Sequence, residues 1–299
     1  MLKVENVTKK YGDLVAVDNL SFSLEDGEVF GLLGLNGAGK TTTFRMILGL
    51  IDDYDGNITI DGEKINYNIT DKIGFLTEER SLLTKLTVYE QLVYYGVLKS
   101  LTEEEIDKRI DKWLERFGVL EYKNKKIKEL SKGNQQKIQF ISAIIHEPKL
   151  LILDEPFSGL DPFNVELFKE EIIELANSGS MIIFSSHRME HVELFCKKLV
   201  ILMRGKDVLS GYLKDIKEKY QKKNILIKAK TTKKELLEIP GVVDVVCKAD
   251  EYEVKIEDIS KVKNVFKEIS KKENVTKFVV EEPSLNEIFV AKVGESYEK

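Results

Sequence analysis

The chain has 299 residues, of which 42% are hydrophobic and 32% charged, and its formal net charge at pH 7 is −5. This length predicts two domains, and the composition indicates a soluble globular protein and excludes a disordered chain. The acidic balance gives no support to a nucleic-acid surface, and no apolar run approaches the roughly 18–20 residues needed to cross a bilayer. The N-terminus lacks the apolar core of a secretion signal. Cys196 and Cys247 form no metal-ligand pattern, so we expect reduced thiols in a cytosolic protein.

The first informative segment is a glycine-rich loop between an apolar strand and a helical pattern. Residues 29–33 (VFGLL) predict the strand, and residues 34–41 (GLNGAGKT) match a loop that surrounds phosphates with backbone N–H groups. In that pattern Lys40 reaches the β- and γ-phosphates and the Thr41 hydroxyl holds Mg²⁺. The positive end of the following helix adds to the anion field. The segment predicts a nucleoside triphosphate site, because a chance glycine-rich turn does not account for the flanking strand and helix.

Helical patterns dominate residues 84–146. The candidate helices occupy residues 87–98, 104–120 and 135–145. They are interrupted at Gly118 and at a lysine-rich loop. We interpret the segment as a helical insertion into a sheet domain, with Trp113, Leu114 and Phe117 in its core.

Two further apolar runs, residues 149–156 (KLLILDEP) and 181–187 (MIIFSSH), end abruptly in polar residues. Such runs are typical of parallel strands buried on both faces, and ligands bind beyond the carboxyl ends of those strands. There Asp154 can accept Mg²⁺-bound water and Glu155 can align a water for in-line attack on the γ-phosphorus. His187 would lie on the same rim, within reach of the γ-phosphate or the attacking water. The alternatives are two solvated acids at a turn and a structural histidine.

The character of the chain changes after about residue 211. A charged helical connector, residues 212–223, leads into the order strand, helix, hairpin, helix, strand, which is typical of a small α+β domain of the ferredoxin-like, split β-α-β kind. Residues 283–293 predict a terminal amphipathic helix. We therefore expect an α/β P-loop sheet domain over residues 1–211 and an accessory α+β domain over residues 212–299.

A second candidate anion site precedes the last helix of the insertion, in residues 130–136 (LSKGNQQ). Ser131 and Gly133 begin that helix, so their N–H groups and the hydroxyl are expected to face outward. The loop at 34–41 already surrounds one side of its own nucleotide. The second site therefore serves the triphosphate of a neighbouring copy, and two copies related by a two-fold axis would trap two ATP molecules.

Together these motifs resemble the ATP-binding subunit of ATP-binding-cassette (ABC) transporters over about residues 1–210. The resemblance implies the signature sequence at residues 130–135, the D-loop at 158–161, the catalytic glutamate at Glu155 and the switch histidine at His187. Tyr11, by itself either an adenine-stacking or an ordinary edge aromatic, matches the family's adenine-stacking position. The residues that match the family's nucleotide-binding loop are Gly34, Asn36, Gly37, Ala38, Gly39, Lys40, Thr41 and Thr42.

The sequence departs from the family pattern in two places. The signature usually reads LSGGQ, and here Lys132 and Asn134 differ while Ser131 and Gly133 are retained. The family's glutamine that couples Mg²⁺ to the membrane subunit corresponds to Glu78, which we expect to ligate Mg²⁺ beside Thr41 and Asp154. Both departures resemble the branch that pairs with separate membrane subunits to export drugs, sodium or other cargo and that often carries an extra C-terminal domain.

The resemblance implies an ATPase that uses ATP and Mg²⁺, pairs with a second copy or a homologous subunit, and drives separate transmembrane permease subunits. It would then lie in the cytoplasm, on the inner face of the cell membrane. One alternative is a soluble ABC ATPase that acts on nucleic acid or ribosomes, although neither a long coiled-coil insertion nor a second cassette is present. Others are a module that senses ATP without hydrolysis and a resistance or immunity protein that needs no transport.

Overall fold

The structure is a computed structural model that describes residues 1–79, 81–220 and 223–297. The chain divides into two compact units, Met1–Ser210 and Gly211–Lys299. Over the described residues, no helix is long and apolar enough to span a membrane.

The first unit combines strands and helices. In chain order they are β1 (Leu2–Tyr11), β2 (Leu14–Leu24), β3 (Val29–Gly34), α1 (Lys40–Ile47), β4 (Asp55–Ile60), β5 (Glu63–Lys64), β6 (Ile73–Leu76), α2 (Val88–Leu98), α3 (Glu103–Arg116), α4 (Lys132–Ile144), β7 (Leu150–Asp154), α5 (Pro162–Asn177), β8 (Met181–Ser185), α6 (Met189–Phe195), β9 (Lys198–Met203) and β10 (Lys206–Tyr212).

The central sheet has the strand order β10-β9-β3-β8-β7-β6. Strands β9, β3, β8, β7 and β6 run parallel, and every residue of β3, β7 and β8 is buried. That burial on both faces explains the continuous apolar runs in the sequence. The register pairs Asp154 with Ser185, so the polar ends of β7 and β8 meet at one edge. The predicted parallel P-loop sheet is confirmed.

A second, antiparallel sheet of order β2-β1-β4-β5 was not anticipated from the sequence. Its apolar residues share a buried cluster with α1 and the central sheet; Val4, Leu24, Phe44 and Ile152 are members. This packing fixes the β1–β2 hairpin beside the loop between β3 and α1.

The helical insertion is also confirmed, as α2, α3 and α4. Thr87 and Thr102 begin α2 and α3 with capping boxes, in which the threonine hydroxyl and a glutamate three residues later satisfy the first backbone N–H groups. As predicted, Trp113, Leu114 and Phe117 are buried. Gly118 follows with a φ of 62°, a left-handed conformation that ends the helical segment.

The second unit has the predicted order of elements, β11 (Lys223–Lys228), α8 (Lys233–Leu237), β12 (Val242–Lys248), β13 (Glu251–Ile256), α9 (Val262–Ile269) and β14 (Lys277–Glu281), with α7 (Leu213–Lys219) before them and α10 (Leu285–Tyr297) after them. Its antiparallel sheet has the order β12-β13-β11-β14. One face packs on α8 and α9 through a cluster that includes Ile225, Leu236 and Val265. The predicted connector extends over Gln221 and Lys222, which lie outside the described residues.

Candidate functional site

A cavity of about 740 Å³ opens at the carboxyl ends of β3 and β7. Most of the residues predicted for nucleotide and metal lie in its lining. They are Tyr11, Asn36, Gly37, Ala38, Gly39, Lys40, Thr41, Thr42, Glu78, Asp154, Glu155 and His187. Gly34 ends β3 directly beneath the loop. This volume lies within the range of about 300–1,000 Å³ that is typical of small-molecule sites.

The loop between β3 and α1 can only be built with glycine at two points. Gly39 has a φ of 110°, and a Cβ there would lie 2.6 Å from the Ala16 carbonyl oxygen. A Cβ on Gly34, whose φ is 154°, would lie 2.6 Å from the Leu202 carbonyl oxygen. The loop is therefore packed against β2 at Gly39 and against β9 at Gly34, too closely for a side chain at either position.

The start of α1 presents donors to the cavity. No side chain caps the helix at Gly39, and the first turn carries no acidic residue. The Lys40 ammonium donates to the carbonyl oxygens of Gly34 at 2.7 Å and Leu35 at 3.3 Å. An uncapped helix N-terminus with a lysine at its first residue forms a site for an anion such as a phosphate.

Asp154 supplies a carboxylate opposite the loop. It is buried at the end of β7 and accepts a hydrogen bond from the Ser185 hydroxyl. Burial raises the pKa of this carboxyl, and nearby Glu78 also raises it, while the Ser185 hydrogen bond and the Lys40 ammonium lower it. A bound cation would stabilise the charged form of Asp154, which burial and the nearby Glu78 carboxylate disfavour.

These groups fit a magnesium ion held mainly by substrate. Thr41, Glu78 and Asp154 line one cavity, and they offer only oxygen ligands. In the described part of the chain, no three histidine, cysteine, aspartate or glutamate side chains cluster into a metal site. Mg²⁺ typically uses one or two carboxylates together with water and phosphate oxygens, so a complete protein cage is not required.

Glu155 is held in an unusual conformation beside the cavity. Its φ is 50°, and its carboxylate accepts hydrogen bonds from the His187 backbone N–H at 2.6 Å and the Ser186 hydroxyl at 3.2 Å. The Nδ1 atom of His187 lies 2.8 Å from the same carboxylate, and the histidine side chain is 71% exposed. Burial raises the pKa of Glu155, which suits a group that must accept a proton. The two residues therefore form a linked pair at the rim.

The remaining end of the cavity was only partly predicted. Tyr11 is 46% exposed, and the Lys9 ammonium lies 4.9 Å from its ring centroid. Val15, Ala16 and Arg204 also line this end, together with Leu14. No sequence signal identified these residues, because three are apolar residues of β2 and Arg204 lies in the turn between β9 and β10. Its place beside the loop depends on the parallel pairing of β9 with β3.

Ser131 and Gly133 do not line this cavity. Ser131 is exposed and begins α4, where its hydroxyl accepts a hydrogen bond from the Asn134 N–H at 3.3 Å. A Cβ on Gly133 would be 4.0 Å from both the Leu160 and Asn164 side chains, so the tip of α4 lies beside residues 158–161. Residues 131–133 and 158–161 thus lie beside each other, and neither group is among the residues that line the cavity.

Comparisons with known proteins give matches over both units. The family model described as ABC transporter matches residues 17–158, and the model described as ATP-binding protein DrrA1-3-like, C-terminal domain, matches residues 211–293. The chain is 52% identical to the uncharacterized ABC transporter ATP-binding protein YhaQ of Bacillus subtilis, over 100% of both chains. It is 40% identical to the linearmycin resistance ATP-binding protein LnrL of Bacillus subtilis, over 72% of this chain and 70% of the relative. The dimeric structure of MJ0796, a bacterial ABC transporter cassette, is 27% identical and covers 71% of this chain and 99% of its own, with a TM-score of 0.65.

Proposed function

The chain belongs to the ATP-binding subunits of ABC transporters, a family that hydrolyses ATP, and we propose that two copies close around two ATP molecules to drive separate transmembrane export subunits. The observation that carries the proposal is that the predicted functional residues lie on two separate surfaces of the chain. The loop, the metal-binding carboxylates and Glu155 line one cavity, whereas Ser131 and Gly133 lie outside it. A second copy supplies the missing donors.

The P-loop residues bind the phosphates. Lys40 exchanges its two backbone carbonyl partners for oxygens of the β- and γ-phosphates, while backbone N–H groups of the loop and of the first turn of α1 surround them. Tyr11 stacks on the adenine, with Val15 and Ala16 beside it in the lining. These contacts position the γ-phosphorus toward the ends of β7 and β8.

Thr41 and Asp154 would hold Mg²⁺, with Glu78 as a further oxygen ligand or as an acceptor for metal-bound water. When bound, the ion neutralises charge on the β- and γ-phosphate oxygens. Ser185 keeps the Asp154 carboxylate oriented through its hydroxyl. The same residues therefore serve binding and alignment.

Glu155 aligns and deprotonates the attacking water. Its raised pKa makes it a better base than an exposed carboxylate, and the hydrogen bonds from His187 and Ser186 keep it at the rim. The exposed His187 imidazole lies on the cavity side, where it can contact the γ-phosphate. In-line attack then releases phosphate and leaves ADP in the site.

The Ser131 hydroxyl and the N–H groups at the start of α4 would contact the γ-phosphate held by the other copy. The dimer formed by the related cassette MJ0796 supports this arrangement. Because ATP is then shared between copies, its binding closes the pair and its hydrolysis allows the pair to open.

The relatives support the proposal of export and membrane association. LnrL is a linearmycin resistance protein, and removal of a drug from the cell is one route to resistance. In this proposal the subunit lies on the cytoplasmic side of the membrane and docks through the helical insertion and the segment around Glu78.

Exchange of Ser131 for aspartate tests the shared site. Aspartate is as good an N-cap as serine, so α4 remains capped, but it places a carboxylate where the partner's γ-phosphate would bind. We expect Ser131→Asp to bind ATP as the wild type does and to lose hydrolysis by roughly a hundredfold or more. Ser210→Asp, on an exposed residue outside both surfaces, is the control. Wild-type turnover by Ser131→Asp would exclude the proposed role of the α4 tip.

A further inference from the structure

Strand β14 is an edge strand. The order of the second unit's sheet is β12-β13-β11-β14, and β14 pairs with β11 on one side only. Among the described residues of this unit, no strand pairs with its other side. An unpaired edge presents a row of N–H and C=O groups that can template another strand.

Apolar side chains are exposed along this edge. Val279 and Val280 of β14 are 42% and 40% exposed, and Phe266 of α9 is 54% exposed. The Phe266 ring meets the Phe278 ring edge-on, with a centroid separation of 5.0 Å. Phe278 also packs against the buried cluster of the unit. The core-side face of β14 thus continues outward into an apolar strip made by Phe266, Phe278 and Val280.

The sequence of β14, KFVVE, is complementary to itself when two copies run antiparallel about a two-fold axis through Val279. On one face Lys277 would oppose Glu281 of the other copy twice, on either side of a Val279–Val279 pair. On the other face Phe278 would oppose Val280 twice. Opposite charges and apolar pairs directly across an antiparallel ladder are both stabilising.

The opposite edge of the sheet lacks this property. Strand β12 also exposes valines, and Val243 is 55% exposed. Its pairing with β13 shifts register between Val242 and Asp244, which marks a bulge. A bulge bends an edge and blocks regular addition of a further strand. By contrast, β14 pairs with β11 in unbroken register over its whole length.

We propose that β14 pairs antiparallel with β14 of a second copy and joins two C-terminal sheets into one. The Lys277 ammonium already lies 2.8 Å from Glu251, and the joined sheet extends this ion pair across the seam to Glu281 of the other copy. Phe266 and its symmetry mate cover the apolar side of the seam. The contact requires no nucleotide, so it would keep two ATPase subunits paired while their ATP sites open.

Sedimentation of the full chain, freed of nucleotide, tests the proposal over a concentration series. We expect wild-type protein to dimerise without ATP. Val279→Lys would place two ammonium groups opposite each other on the axis and raise the dimer dissociation constant roughly tenfold or more. Val243→Lys makes the same change on the other edge and should leave the constant unchanged. A monomeric wild type, or equal effects of the two substitutions, would overturn the proposal.

A cross-link checks the register independently of any effect on folding. In a Cys247→Ser background, Val279→Cys would put two thiols opposite each other, where Cα separations of about 4.5–5.5 Å suit a disulfide. Mild oxidation without ATP should yield a covalent dimer, and Val243→Cys should not. Because ATP is absent, failure of this dimer is distinguishable from failure of the ATP-dependent closure. Equal cross-linking at the two positions would rule the pairing out.

Discussion

Replacement of Glu155 by glutamine isolates its role as a base. Glutamine has nearly the same size, and its side-chain oxygen can still accept the His187 backbone N–H that now lies 2.6 Å from the carboxylate. The amide cannot accept a proton from water at neutral pH. We therefore expect the loop at the end of β7 to keep its position while the proton-transfer step is lost.

The magnitude follows from the value of general-base assistance. Such assistance typically contributes 10²–10⁴-fold, or roughly 3–5 kcal/mol of the activation barrier. Single-turnover hydrolysis of ATP should fall by about that factor in Glu155→Gln, whereas ATP affinity in an equilibrium titration should change by less than about threefold. Burial raises the pKa of Glu155, so the wild-type rate should decline on acidification at a pH above the ordinary carboxyl range. The residual rate of the glutamine variant should lack this decline.

Ser186→Ala is the matched control. It removes the 3.2 Å hydrogen bond to the Glu155 carboxylate, together with the bond that the Ser186 hydroxyl accepts from the Arg188 N–H, and leaves the base in place. The expected loss is roughly three- to tenfold, because the carboxylate keeps its hydrogen bond from the His187 backbone N–H. Glu155→Gln turnover within tenfold of the wild type, or a parallel fall in its ATP affinity, would refute the assignment of the base.

Three further substitutions test the phosphate loop and the packing elsewhere in the first unit. Gly39→Ala should sharply weaken ATP binding in a titration, because the added Cβ would lie 2.6 Å from the Ala16 carbonyl oxygen. Gly179 has a φ of 103°, but a Cβ there would meet open space. Gly179→Ala should therefore cost only about 1 kcal/mol of stability. Arg116→Ala should lower the free energy of unfolding in denaturant by about 1–3 kcal/mol, since Glu171 is 1% exposed and loses its guanidinium partner. Burial holds the pKa of the Glu171 carboxyl above its value in the unfolded chain, so the folded protein binds a proton at Glu171 more tightly. The loss of unfolding free energy in Arg116→Ala should therefore shrink as pH falls. Equal effects of the two glycine changes, or a pH-independent deficit, would contradict these reasons.

The sequence predicted those parts of the fold that depend on local pattern. Continuous apolar runs identified β3, β7 and β8, and helical periodicity identified the insertion. The antiparallel sheet of β1, β2, β4 and β5 was missed because β1 and β2 have several register shifts, which break the simple alternation of buried and exposed residues.

The site could be predicted only where backbone chemistry demands particular residues. The phosphate loop needs glycine at positive φ, and the acids follow buried strands, so both leave a pattern in the sequence. Arg204 reaches the cavity through the pairing of β9 with β3, which are distant in sequence, and Val15 through packing of the β1–β2 hairpin beside the loop, so neither leaves a pattern. The left-handed conformation of Glu155, whose side chain accepts the His187 N–H, likewise leaves no pattern in the sequence.

Mixing two inactive variants tests most directly whether each ATP site is shared between copies. Lys40→Ala disables the phosphate loop and Ser131→Asp disables the tip of α4. A mixed pair has one site in which both changes meet and one site that is wholly intact. Random mixing of equal amounts should therefore restore single-turnover hydrolysis to about a quarter of the wild-type level, since half of the pairs are mixed and half of their sites are intact. Activity that stays at the average of the two separate variants would contradict the shared site.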